Sequence, residues 1–126
     1  MSFSNTYETN VLTWTFTASA VTRPTAWYIA LYTTNPGEAQ GGTEVSGGSY
    51  VRQSATFTVS GDTASNSSAI EFPAATASWG SITHVAVIDA STGGTQIAYA
   101  ALTTAKTIDT GDILRIPAGD LDITLD

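Results

Sequence analysis

Short runs of β-branched and aromatic residues recur along this chain, each closed within a few positions by Gly, Pro or Asn/Asp turn chemistry. That punctuation leaves little room for long helices and demands many short strands. Residues 26–33 form the most apolar run and read as a buried strand. Arg23-Pro24 leads into it, with the residue before proline biased toward extended backbone, and Asn35-Pro36-Gly37 ends it. Residues 50–59 alternate, with Val51, Gln53, Ala55, Phe57 and Val59 on one face and Arg52, Ser54, Thr56 and Thr58 on the other. Gly61-Asp62 reads as a turn, 65–68 as polar connection, and 69–72 as a short strand stopped by Pro73. In residues 82–89, Ile82, His84, Ala86 and Ile88 share a face opposite Thr83, Val85, Val87 and Asp89. Ser91-Thr92-Gly93-Gly94 then gives a hairpin turn into a partner strand at 96–102. Strands at 106–108, 113–116 and 121–125, separated by turns at 110–112 and 117–120, complete the set. Seven to eight short strands at spacings of roughly 8–12 residues predict an all-β fold, an antiparallel β-sandwich or jelly-roll-like arrangement. With no repeat or linker, residues 1–126 read as one domain.

The first 18 residues differ. Asn5 is placed to cap a helix, Glu8 stands at capping-box spacing, and Tyr7, Val11 and Trp14 fall on one helical face. Four threonines between Thr9 and Thr17 oppose the helix, because β-branched side chains lose rotamer freedom there, and a strand over 11–17 competes. The expectation is one short N-terminal helix, packed on the sandwich through Trp14.

Composition narrows the chemistry. There is no cysteine in the 126 residues, which excludes disulfide scaffolds, thiol nucleophiles, zinc ribbons and iron–sulfur sites. Eleven Asp and Glu against four Lys and Arg give a net charge of −7, so the chain repels phosphate and no nucleic-acid partner is expected. No apolar run approaches the ~20 residues of a membrane span, and the opening MSFSNTYETN lacks the basic and apolar regions of a signal peptide, so neither is expected.

No residue set points to catalysis. Ser46 and Ser49 lie outside any nucleophile-elbow pattern. His84, the lone histidine, sits mid-strand without an orienting partner in the pattern. Asp109, Asp112, Asp120, Asp122 and Asp126 could in principle hold calcium or act as a glycosidase pair, yet the first three stand where turns favour Asp. The reading is a non-enzyme without cofactor or metal. Trp27 is expected in the core, while Trp79, alone among Ala, Ser and Gly, either plugs the core or is exposed. Residues 34–49 hold five glycines and form a long polar loop, the kind of segment that carries contacts. Arg52 is expected in an intramolecular ion pair, or else against a partner.

Three stretches resemble small virion structural proteins of tailed bacteriophages. They are residues 27–38 (WYIALYTTNPGE), residues 43–53 (TEVSGGSYVRQ), and residues 72–80 (FPAATASWG) continuing through Thr83-His84 to the Gly93-Gly94 hairpin. The closing turns at Gly111-Asp112 and Pro117-Ala118-Gly119-Asp120 fit the same family. The resemblance implies a virion location after synthesis in the bacterial host. It also implies a structural role, most simply a capsid decoration (cement) protein binding across major capsid subunits, with homo-oligomers possible on the particle. The alternative is a tail-fibre-associated or receptor-binding module recognising host glycan. Candidate partner contacts are Asn35, Pro36, Glu38, Glu44, Ser46, Tyr50, Arg52 and Trp79.

Overall fold

The structure is a computed structural model and describes residues 1–125. Along it run β1 (Ser2–Phe3), α1 (Asn5–Phe16), β2 (Tyr28–Tyr32), β3 (Gln53–Ser54), β4 (Phe57–Ser60), β5 (Thr63–Asn66), β6 (Ile70–Glu71), β7 (Gly80–Ile88), β8 (Gln96–Ile108), β9 (Arg115–Ile116) and β10 (Asp122–Thr124). The protein is mostly antiparallel β with one short helix, as the turn spacing implies. The strands form a five-stranded sheet in the order β1-β8-β7-β2-β3, a three-stranded sheet β10-β5-β4 and a two-stranded ribbon β6-β9.

The large sheet is built on the most apolar sequence. β2 pairs with β7 from Tyr28↔Ile88 to Tyr32↔His84, and β7 pairs with β8 across the expected Gly93-Gly94 hairpin. Alternation gives this sheet two buried faces. Ile29, Leu31, Val85 and Val87 point into the main core, where Ile70, Phe72, Trp79, Leu114 and Leu121 meet them from the rest of the chain. Ala30, Tyr32, Ala86 and Ile88 form a smaller cluster of their own, with Tyr99 packed against it. Large side chains such as Phe72 and Ile29 are fully withdrawn from water, each contributing roughly 1.5–3 kcal/mol.

Several expected boundaries move. A register shift between Ile82 and His84 transfers Ile82 from the His84 face to the main core, beside Val85 and Val87. The same irregularity lets β8 run for 13 residues where two separate strands were expected. Residues 50–59 split, because the chain leaves the large sheet after β3 and joins the three-stranded sheet at β4. Val51 and Val59, at 58% and 72% exposure, therefore face water instead of sharing a buried face. β5 is a strand of Thr, Ala, Ser and Asn where polar connection was expected. It is held between β4 and β10, with Asn66 buried and its amide bonded to the Ser68 and Pro117 carbonyls.

The N-terminal helix forms, but its cap is Ser4, one residue before Asn5. The Ser4 backbone N–H donates to the Ile97 carbonyl. Its hydroxyl donates to Gln96 O and accepts from the Tyr7 N–H, so β8 fixes the oxygen that starts the helix. No residue of α1 is buried. Trp14 is 69% exposed and does not pack the helix onto the sheet, because α1 is tied only at its first turn and then leaves the body. No described helix is long and apolar enough to cross a membrane.

Candidate interaction surface

The loop over 34–49 looks featureless in sequence, but folding gives it a fixed shape. Its backbone pairs with the free edge of β2: Thr33 N donates to Thr43 O, Val45 N donates to Leu31 O, and Glu44 bridges Tyr32. Val45 is buried in the core. Gln40 spans to the far hairpin, its Oε1 accepting from Gln96 N and its Nε2 donating to Gly94 O. Gln96, wholly buried, donates its side-chain Nε2 to Gly37 O. The loop, the β7–β8 turn and the start of α1 thus meet at one end of the molecule, where Asn5 N donates to Glu38 O.

A charged lock holds that end. The Arg52 guanidinium donates from Nε and Nη2 to the two Glu44 carboxylate oxygens, each at 2.8 Å, and from Nη1 to Ala90 O and Gly93 O. Tyr50 OH donates to Glu44 Oε1 at 2.8 Å and accepts from Leu31 N at 3.0 Å. The hydroxyl therefore fills the gap on the β2 edge between the Ile29↔Gln53 pair and the Glu44 bridge. Burial pushes the Glu44 carboxyl up, but the hydrogen bonds from Arg52 and Tyr50 and the Arg52 charge outweigh it, leaving Glu44 below its ordinary value. Burial pushes the Tyr50 hydroxyl far up, and its donation to Glu44 adds to this. The hydrogen bonds to Glu44 hold Arg52 firmly protonated. This is the intramolecular ion pair expected of Arg52, and the only ion pair among the described residues.

The expected contact residues therefore divide. Asn35, Glu38 and Ser46 are exposed on the loop. Glu44, Tyr50 and Arg52 are committed to one another, with 9% of the Arg52 side chain reaching solvent. Pro36 is buried and offers no surface. Trp79 is also buried, at 4% exposure. Its indole N–H donates to Gly48 O, and its ring meets Tyr50 and Phe72 edge-on, with centroids at 5.5 and 6.3 Å. It plugs the core, so no glycan can stack on it. Trp27, expected in the core, is half-buried and packs against it.

The acidic residues of the last third lie apart. Asp112 Oδ2 accepts from Asp109 N, and Asp122 accepts from the Ser65 hydroxyl, so both carboxylates serve turns and pairing. Among the described residues no three His, Asp or Glu side chains gather to hold a metal ion, and Asp126 lies outside them. His84 is half-buried, its Nδ1 2.8 Å from the Thr83 hydroxyl.

One surface was not anticipated. Beyond its first turn α1 stands off the sheet and, with residues 21–24, encloses an apolar groove of about 350 Å³ lined by Tyr7, Val11, Trp14, Val21, Arg23 and Pro24 among others. Leu12 and Phe16, on the other side of the helix, are 59% and 77% exposed. The sequence cue is the pair Leu12 and Phe16, an i, i+4 stripe offset from the Tyr7, Val11, Trp14 face.

The family model of podophage GP4 fiber I protein gp80 matches the chain over residues 2–124. No curated protein matches it significantly.

Proposed function

The chain belongs to the podophage GP4 fiber I protein gp80 family and is a structural protein of the tailed-phage virion; from that premise we propose that it serves as a globular fibre module. The observation that carries this is the match itself, which spans both sheets and the helix. The chemistry of the body suits a passive particle component. The one ion pair among the described residues is spent on holding a loop, and the body's acidic surface avoids non-specific binding to nucleic acid and anionic cell envelopes. The exposed loop residues Asn35, Glu38 and Ser46 are the contacts this reading assigns to a neighbouring virion protein.

Capsid decoration is the second reading. The absence of any repeat or fibrous segment in the sequence favours it, since a small domain can bind across lattice subunits and stabilise the shell by mass action. Quantitative mass spectrometry of purified virions separates the two. A few copies per particle is the expected result for a fibre module. A copy number comparable to the major shell subunit would replace it with decoration, and absence from the particle would overturn both.

A further inference from the structure

We propose that a pocket between β8 and β9 binds a peptide segment of another protein through a carboxylate flanked by apolar side chains. The pocket originates in the β7–β8 pairing. His84 pairs with Ala101 and Ile82 with Lys106, so residues 102–105 of β8 stand opposite Thr83 alone. Four residues cannot lie flat against one, and β8 bulges there. β1 meets β8 only at Ala98 and Tyr99, so no strand covers the bulge from the other side. Bulges at sheet edges re-aim side chains. Here Leu102, Thr103 and Thr104 line one side of a space of about 360 Å³, with β9 and the turn after it on the other. That volume lies within the roughly 300–1,000 Å³ of ordinary ligand sites. Leu102, Ile116 and the buried Leu121 supply apolar walls, and Lys106 and Arg115 are exposed cations beside them.

The charge of this pocket runs against that of the molecule. The chain has four Lys and Arg, and two of them line it. Neither has an ion-pair partner among the described residues, although Asp120 lines the same pocket and Glu71 stands opposite Arg115 in the β6–β9 ribbon. Two lining cations against one lining carboxylate suit one further carboxylate. A doubly charged phosphate is the poorer match, because Asp120 repels its second charge. The net charge of −7 hardly opposes a single carboxylate, since exposed charges more than about 8 Å away are largely screened at physiological salt.

Two features favour a peptide over a small acid. The backbone at 102–105 has no strand partner, and a peptide brings the N–H and C=O groups that can pair with it. The apolar walls fit the side chains next to its acidic one. Two copies of this chain meeting pocket to pocket would set identical cations against each other, so the occupant is a different protein. The inference uses no residue of the loop over 34–49 and does not depend on where in the virion the protein sits.

The test is an NMR titration of the isotope-labelled full chain with a peptide of about six residues, blocked at both ends, that alternates glutamate and leucine. The expected result is saturable shifts at the amides of 102–106 and 115–121. The same peptide with glutamine for glutamate should bind at least roughly tenfold more weakly, since the charge-assisted contact is lost. Lys106→Gln with Arg115→Gln, changes on exposed side chains, should weaken the acidic peptide to the same degree while the spectrum keeps its dispersion. Asp120→Asn should tighten it by removing the competing carboxylate. The absence of saturable shifts at these amides overturns the proposal, as does a glutamine peptide that binds equally well. Free glutarate binding as tightly as the peptide overturns the peptide occupant and reassigns the pocket to small acids.

Discussion

At the level of single residues, the most informative group is Glu44, Tyr50 and Arg52. All three stood among the candidate partner contacts, although for Arg52 an intramolecular ion pair was the first expectation. Folding turns them inward, because a half-buried carboxylate is tolerable only when its oxygens are satisfied, and here one guanidinium and one phenol donate three hydrogen bonds to it. Glu44→Gln should lower unfolding stability by about 1–3 kcal/mol at neutral pH, measured by urea denaturation. Tyr50→Phe should lower it by a similar amount, since it strips the Leu31 N–H of its acceptor. Because the folded-state value of Glu44 is depressed, its contribution is complete above the ordinary carboxylate value of 4.5 and is lost as pH falls through the lower folded value. The wild-type chain should therefore lose stability over that acid range, and Glu44→Gln should flatten that part of the profile. The tryptophans make the same point about neighbours. Trp79, isolated among small residues in sequence, is buried because Phe72, Tyr50 and Gly48 converge on it from distant positions. Acrylamide should quench a Trp14 component that Trp14→Phe removes, and should leave Trp79 largely protected.

At the level of elements, strands with strong alternation and a clear turn were legible. β2, β7 and the β7–β8 hairpin stand where the residues put them. Elements defined by pairing alone were not. β5 has no apolar pattern and is a strand because β4 and β10 flank it, and β3 and β4 belong to different sheets although their sequence runs on as one alternating segment. The helix was legible through its capping region, yet its cap fell on Ser4 because β8 supplies a carbonyl that fixes that hydroxyl. The loop was read as a polar contact segment, but it is also a working part of the core end. Gly48 shows why. At φ +59 its carbonyl accepts the Trp79 indole, and a Cβ there would lie 2.8 Å from both Ala77 O and Trp79 Nε1. Gly48→Ala should cost about 2–4 kcal/mol in thermal or urea unfolding. Gly47→Ala, also at positive φ but with open space around the new methyl, should cost only about 1 kcal/mol. Deleting 41–48 should accordingly unfold the body, as it removes Val45, Glu44 and the Gly48 carbonyl together.

For the whole molecule, the decisive terms are net charge and the distribution of apolar surface. With a net charge of −7 and its four cations dispersed along the chain, the protein should leave duplex DNA unshifted in gel retardation at physiological salt, and retardation would contradict the reading of its surface. Sequence alone determined the all-β class, the single helix and the acidic surface, because these follow from local periodicity, turn chemistry and summed charge, and it carried the likeness to phage virion proteins in the stretches 27–38, 43–53 and 72–80. Tertiary structure alone decided which polar residues are spent inside, which strands share a sheet, and that α1 lifts its apolar side chains into solvent. Those outcomes depend on partners far away in the chain: a hydroxyl meets a carbonyl 92 residues distant, an indole meets a glycine carbonyl 31 residues back. No local pattern encodes such pairings, since the energy that fixes them exists only once the chain has closed on itself.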